Sequence, residues 1–269
     1  MTTDKEQRTK EIIHFAHANG FPAKTYNKLF SYLEDDFEIS YLERHAHNPK
    51  FPVTDGWQRL ADELREEIAN RYDKPIIGVG HSLGGILHFL VAVEKPEFYK
   101  AIILLDAPII SRLSSLGIKF LKLTNRMGNS PLVKVTQFRR AVWKTKAEAF
   151  QHFKQKEKFA AFNEDVLRDY IEHGIVEDKN NVNLFFKPSV EAKIYQTLPD
   201  YLPKFRGKLK VPAFYIGGTN SREAQLARLS FMQKHFPFTF QFVEGSHLFP
   251  LEKPEETAEA IKFLLNKFF

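Results

Sequence analysis

The chain of 269 residues contains no cysteine. That absence excludes disulfides, thiolate metal sites and a cysteine nucleophile, and it fits an oxidising compartment as well as a reducing one. No stretch approaches the roughly eighteen uncharged apolar residues that a membrane-spanning helix needs. The first residues, 1–11, are polar and mixed in charge rather than a basic segment leading into an apolar one, so a soluble, unprocessed, cytoplasmic protein is expected. Acidic residues are missing from one long stretch. Between Asp106 and Glu148 lie Arg112, Lys119, Lys122, Arg126, Lys134, Arg139, Arg140, Lys144 and Lys146, with no carboxylate among them. Residues 108–206 hold 18 Lys and Arg against 10 Asp and Glu, whereas the rest of the chain holds 21 against 23. The net charge of +6 therefore belongs to one segment, and it does not by itself argue for a nucleic-acid partner. Apolar residues are plentiful: 43% of the chain is hydrophobic and 26 residues are Phe, enough for a sizeable buried core.

Apolar runs alternate with helical spacing along both ends of the chain. A strand is expected at 12–16, a helix at 24–34, a second strand at 37–43, and a helix at 56–71 on the spacing of Trp57, Leu60, Ala61, Leu64 and Ile68, with Asp55 as a candidate cap. Strands follow at 75–79 and 101–106, the latter a continuous apolar run, then at 211–216 and 238–243, with helices at 222–235 and 254–268. Six strands alternating with helices imply a three-layer α/β/α fold with a mostly parallel sheet, whose functional groups gather at the carboxyl ends of the strands. The alternation stops across 107–206, which reads as an all-helical insert. Thr145 with Glu148, Asn163 with Gly174, and Pro188 with Ser189 mark helix ends within it. Near its start, Leu113, Leu116, Phe120, Leu123 and Met127 share one helical face beside a basic one. The apolar stripe is expected to pack inward and the basic face to meet water or an anionic membrane surface.

The most informative motif is Gly80-His81-Ser82-Leu83-Gly84, with Pro75-Ile76-Ile77-Gly78-Val79 before it and an apolar helix after it. Strand, glycine-flanked serine and helix together form a nucleophile elbow, a strained turn at which side chains two before and two after the serine would collide. A serine hydroxyl needs a base within hydrogen-bond reach. Of the ten histidines, His247 in Glu244-Gly245-Ser246-His247-Leu248-Phe249-Pro250 lies after the last strand, where a loop reaches back over the elbow. His81, next to the serine, would point the other way. His45 and His47 with Asp55 lack a defined third ligand, and no metal site is expected there.

These residues resemble the α/β-hydrolase family over nearly the whole chain, and most closely its capped, esterase- and lipase-like members. The resemblance implies a hydrolase core at 1–106 and 207–269 and a helical cap, or lid, at 107–206. It also implies oxyanion donors at the backbone N–H groups of Phe21 and Leu83, with Asn19-Gly20 standing where the family has His-Gly. The family's usual acid position after the cap reads Gly217-Gly218-Thr219-Asn220, an amide in place of a carboxylate. A second family arrangement puts the acid at the end of the strand after the elbow, where Asp106 stands. Asp106 is the candidate acid, with Glu244, Glu223 and Asp55 behind it. Asn19, His45 and Asn220 are candidate substrate contacts, together with Glu43 and Arg44.

The implied activity is hydrolysis of carboxylic esters of small-to-medium apolar acyl groups through an acyl-enzyme, without cofactor or metal. An acyltransferase or carbon–carbon bond hydrolase on the same residues stays open. So does a non-catalytic ligand-binding protein of the same fold, which Asn220 invites.

Overall fold

A computed structural model describes residues 10–269; the polar start of the chain read above lies outside them except for its last two positions. Strand β1 (Glu11–Ala16) is followed by a 3₁₀ turn, α1 (Asn27–Ser31) and β2 (Phe37–Tyr41); α2 (Gln58–Arg71) leads to β3 (Ile76–His81), and α3 (Leu83–Glu94) leads to β4 (Tyr99–Leu105). The chain then runs through α4 (Arg112–Leu123), α5 (Pro131–Gln137), β5 (Val142–Trp143), α6 (Lys146–Lys154), α7 (Glu157–Ala160), α8 (Glu164–Gly174), β6 (Ile175–Asp178), β7 (Asn181–Leu184) and α9 (Pro188–Gln196). It resumes the alternation with β8 (Ala213–Gly218), α10 (Arg222–Ala227), α11 (Ser230–His235), β9 (Phe238–Val243), α12 (Phe249–Glu252) and α13 (Pro254–Phe268).

Six strands form one sheet in the order β2-β1-β3-β4-β8-β9, every neighbouring pair parallel. The apolar run at the centre needs two covers because successive side chains face opposite ways. Ala101, Ile103 and Leu105 of β4 join the core under α1 and α13, while Ile102 and Leu104 join the core under α2 and α3. Among the described residues, no helix is long and apolar enough to cross a membrane.

Local chemistry shifts several boundaries. The helix expected from residue 56 starts at Gln58 instead, because Gly56 and Trp57 both take positive φ, and Asp55 caps nothing but lies 2.6 Å from Lys122. The 222–235 helix is broken in two at Arg228, whose φ is +54°. Asn163 caps α8 as expected and Pro188 opens α9 at its first position. Thr145 caps α6, but the Glu148 carboxylate reaches the N–H of Lys144 rather than that of Thr145.

Two expectations for the insert are corrected. It is not all helical, since β5, β7 and β6 form a small antiparallel sheet in that order. Strands of two to four residues, one with exposed Val176, Glu177 and Asp178, leave no period to read. Helix α4 also turns a different face inward from the one expected, while Arg112 and Lys119 stay exposed. Ser115 is buried and Lys122 turns inward to Asp55 and Asp200, 2.6 and 2.9 Å away, so the Leu113, Leu116, Phe120 and Leu123 stripe is left exposed.

Histidines buried in this core set its response to acid. His14 in β1 and His88 in α3 stand 3.5 Å apart, and Tyr99 lies 3.1 Å from His88. Burial lowers the pKa of His14 and His17 well below the ordinary value, that of His88 and His81 to about 3, and that of His47 to about 4. The unfolded chain takes up these protons near pH 6.5 and the folded chain does not, so stability is complete above that pH and falls as pH drops through it. Each of the four fully buried rings, His14, His17, His81 and His88, removes about 1.4 kcal/mol per pH unit, and the part-exposed His47 less. The urea midpoint is expected to fall steeply between pH 7 and pH 5, above the carboxylate range; a flat midpoint there would contradict neutral burial.

Candidate active site

The site is built at the carboxyl ends of β3, β4 and β8 and on the loop after β9. Ser82 lies between β3 and α3 with φ +53° and ψ −112°, a region L-residues enter at a cost of order 1–3 kcal/mol. Its N–H donates to Leu105 O at 2.9 Å, which pins the turn to the neighbouring strand. The two glycines clear different neighbours. A Cβ at Gly80 would lie 2.3 Å from the backbone of Gly84, and one at Gly84 would lie 2.0 Å from Ala16 O of β1. The elbow motif thus also lets α3 press onto β1.

His247 closes on the serine from above. Its Nε2 is 3.0 Å from Ser82 Oγ and its Nδ1 is 2.6 Å from Asp106 Oδ2. A carboxylate only accepts, so the Nδ1 proton points at Asp106 and Nε2 is left to accept from the serine hydroxyl. Asp106 is fully buried, with φ +44° at the end of β4. Burying a carboxylate costs several kcal/mol unless donors surround it. Here Oδ1 accepts from Tyr215 OH at 3.3 Å and Gly218 N–H at 3.2 Å, and Oδ2 accepts from Ser221 Oγ at 2.5 Å as well as from His247. The Ser221 hydroxyl in turn accepts from Ala224 N–H at 3.0 Å, which directs its own proton to Asp106.

His81 does point away from the serine, and it has work there that its sequence position did not announce. Its Nε2–H donates to the His247 carbonyl at 2.8 Å, and its Nδ1 accepts from Tyr26 OH at 2.7 Å. Tyr26 also receives the Ala18 N–H at 3.3 Å. Burial, reinforced by His247, lowers the His81 pKa to about 3, so the ring stays neutral and keeps this polarity. A line of hydrogen bonds therefore runs from the loop after β1 to the loop that carries His247.

The remaining expected residues divide. Leu83 opens α3, where its N–H has no acceptor within the helix. The Phe21 N–H, expected to be free as well, instead donates to Ala18 O at 3.1 Å and closes a turn, so one of the two expected oxyanion donors is already engaged. Asn19 Nδ2 donates to Glu191 O at 3.1 Å and ties the loop to α9, while its buried Oδ1 has no partner. His45 is corrected as a substrate contact. It is fully buried, its N–H bonded to His17 Nε2 at 2.8 Å and its Nδ1 3.8 Å from Glu63. The Arg44 guanidinium caps the Phe185 ring at 3.7 Å and donates to the Phe185 carbonyl, joining the insert rather than the cleft.

Asn220 is exposed; its backbone N–H, not its side chain, is used, donating to Gly245 O at 2.8 Å. Of the reserve acids, Glu223 is half exposed with Oε2 4.0 Å from His247 Nδ1, Glu244 is exposed, and Asp55 pairs with Lys122. Asp106, Glu223 and His247 are the one group of metal-type donors within 4.8 Å of one another among the described residues. Both oxygens of Asp106 are already taken by hydrogen-bond donors. His47 is occupied too, accepting from Lys187 N–H at 3.1 Å. Ser221, Tyr215 and Tyr26 were not foreseen, and only the serine beside Asn220 carried any local signal.

A model of the alpha/beta hydrolase family matches residues 15–260. Among curated relatives, abhydrolase domain-containing protein AFT2-1 of Alternaria alternata is 23% identical over 236 residues, covering 72% of this chain and 84% of the relative. The peroxisomal alpha-beta-hydrolase Lpx1 of Saccharomyces cerevisiae superposes with a TM-score of 0.75 at 16% identity, covering 97% of this chain and 77% of its own. E-2-(acetamidomethylene)succinate hydrolase superposes with a TM-score of 0.73 at 18% identity, over 96% and 92%. The two structures speak to the fold, whereas the family match runs from the end of β1 through the elbow, Asp106 and His247 into α13. The chain belongs to the α/β-hydrolase family.

Proposed function

We propose that the chain is a cytoplasmic serine hydrolase that cleaves carboxylic esters of small-to-medium apolar acyl groups, with 1–106 and 207–269 as its catalytic core and 107–206 as a cap. One observation carries the reading: a serine hydroxyl 3.0 Å from an imidazole whose other nitrogen is 2.6 Å from a buried carboxylate. Ser82 Oγ attacks the ester carbonyl as His247 Nε2 takes its proton, and Asp106 stabilises the imidazolium. The developing oxyanion is met by Leu83 N–H and by Phe21 N–H, which exchanges the Ala18 carbonyl for the stronger acceptor. The protonated His247 gives its proton to the leaving alcohol, then accepts one from the water that releases the acid. Phe159, Phe162 and Tyr170, whose ring centroids lie 6.1, 6.0 and 5.6 Å from that of Phe21, give the Phe21 turn an apolar surrounding. The amide at Asn220 no longer favours a non-catalytic protein, because Asp106 supplies the carboxylate from another strand.

A fluorophosphonate probe is expected to label the protein and not Ser82→Ala, and the absence of labelling in the parent would overturn the reading. With p-nitrophenyl esters, Asp106→Asn should lower turnover by about 10⁴-fold, the scale set when serine proteases lose this carboxylate. Asn220→Ala should stay within about twofold of the parent, as expected for a side chain outside the site. Retained turnover in Asp106→Asn with loss in Glu223→Gln would move the acid to Glu223. His81→Phe removes the bond to the His247 carbonyl and is expected to lower kcat by about 10 to 100-fold with little change in KM, as mispositioning of a catalytic group does.

A further inference from the structure

Two successive helices of the insert turn large apolar side chains to solvent. On α4, Leu113, Leu116, Phe120 and Leu123 face solvent while Ser115 is 6% exposed and Lys122 is held by Asp55 and Asp200. A Cβ at Gly117 would meet nothing within 4 Å. On α5, Val133 and Thr136 are buried, and Leu132 and Val135, with Phe138 at its C-terminal cap, are exposed. All seven of these large apolar side chains are between 56% and 79% exposed.

The charges around these helices say what covers them. Lys122, Arg139, Arg140 and Lys146 are taken up by Asp55, Asp200, Glu191, Glu148 and Glu172. Arg112, Lys119, Arg126, Lys134 and Lys144 have no ion-pair partner among the described residues, and the stretch between Asp106 and Glu148 supplies no carboxylate. A second copy docking face to face would set like charges against like. An apolar stripe with a basic margin instead matches an interface of acyl chains beneath anionic headgroups, where each Lys or Arg adds attraction and the apolar side chains insert.

We propose that α4 and α5 dock this protein onto a bilayer that carries anionic lipid. The helices follow Asp106 in the chain, so docking places the membrane on the segment that leaves the carboxyl end of β4. The attachment is peripheral and does not depend on turnover; Ser82→Ala binds as the parent does.

The test is flotation of the full chain with vesicles of phosphatidylcholine alone or of equal parts phosphatidylcholine and phosphatidylserine. Binding to the mixed vesicles at low salt, weakened at molar salt, is expected. Lys119→Glu with Arg126→Glu and Lys134→Glu should weaken it by at least about 100-fold. Leu116→Ser with Phe120→Ser should weaken it by about 10-fold or more, with an unchanged melting temperature because both side chains are exposed. No binding at low salt, or variants that bind like the parent, would overturn the proposal. So would a dimer in sedimentation velocity that the Leu116→Ser, Phe120→Ser variant dissolves, which would assign the face to a second copy.

Discussion

Asp106 is a carboxylate with no exposure to water, and the molecule holds it by bringing four donors from three separate places. Tyr215 and the Gly218 N–H come from β8, Ser221 from the cap of α10, and His247 from the loop after β9. Each is worth little alone, but removing one leaves the others facing an under-satisfied charge. The same contacts tie together the carboxyl ends of β4, β8 and β9. The imidazole orientation is therefore a by-product of neutralising a buried charge, and the Ser82 contact follows from the imidazole.

The sequence carried the elbow because its requirements are local: Gly80 and Gly84 are needed within one turn of the serine. It carried His247 through position, since a loop after the last strand reaches the same end of the sheet as the elbow. Asp106 followed from the family resemblance, which offers the strand end after the elbow once the usual acid position reads Asn220. What stayed hidden depends on contacts across long separations. Nothing near His81 says that a residue 166 positions later offers it a carbonyl. Tyr215 reads as one more apolar strand residue, and its hydroxyl gains meaning only against β4. The inward face of α4 was equally unreadable, because periodicity gives the faces of a helix and not which one turns inward. That choice was made by Lys122, through Asp55 and Asp200.

The insert is stitched to the loop after β1 by a few polar contacts. Asn19 bonds the backbone of Glu191, and the Glu191 side chain pairs with Arg139 at 2.5 Å. Gly20, at φ +84°, leaves the room this requires, since a Cβ there would come within 2.8 Å of the Glu191 carboxylate. Beside it the Phe153, Phe159 and Tyr170 cluster extends the core beneath α13 into the insert without a break. The Phe21 turn is held between these two sets of contacts, with its N–H closed onto Ala18.

Ser82 and Asp106 share a positive φ, the side of backbone space that favours glycine, at +53° and +44°. At Ser82 a glycine would release that tension and, for stability alone, be the more comfortable residue. At Asp106 it would also leave four donors without their acceptor. Drift under selection for folding alone would therefore erase the serine side chain and keep the carboxylate, and the hydroxyl at position 82 records a pressure that stability does not supply.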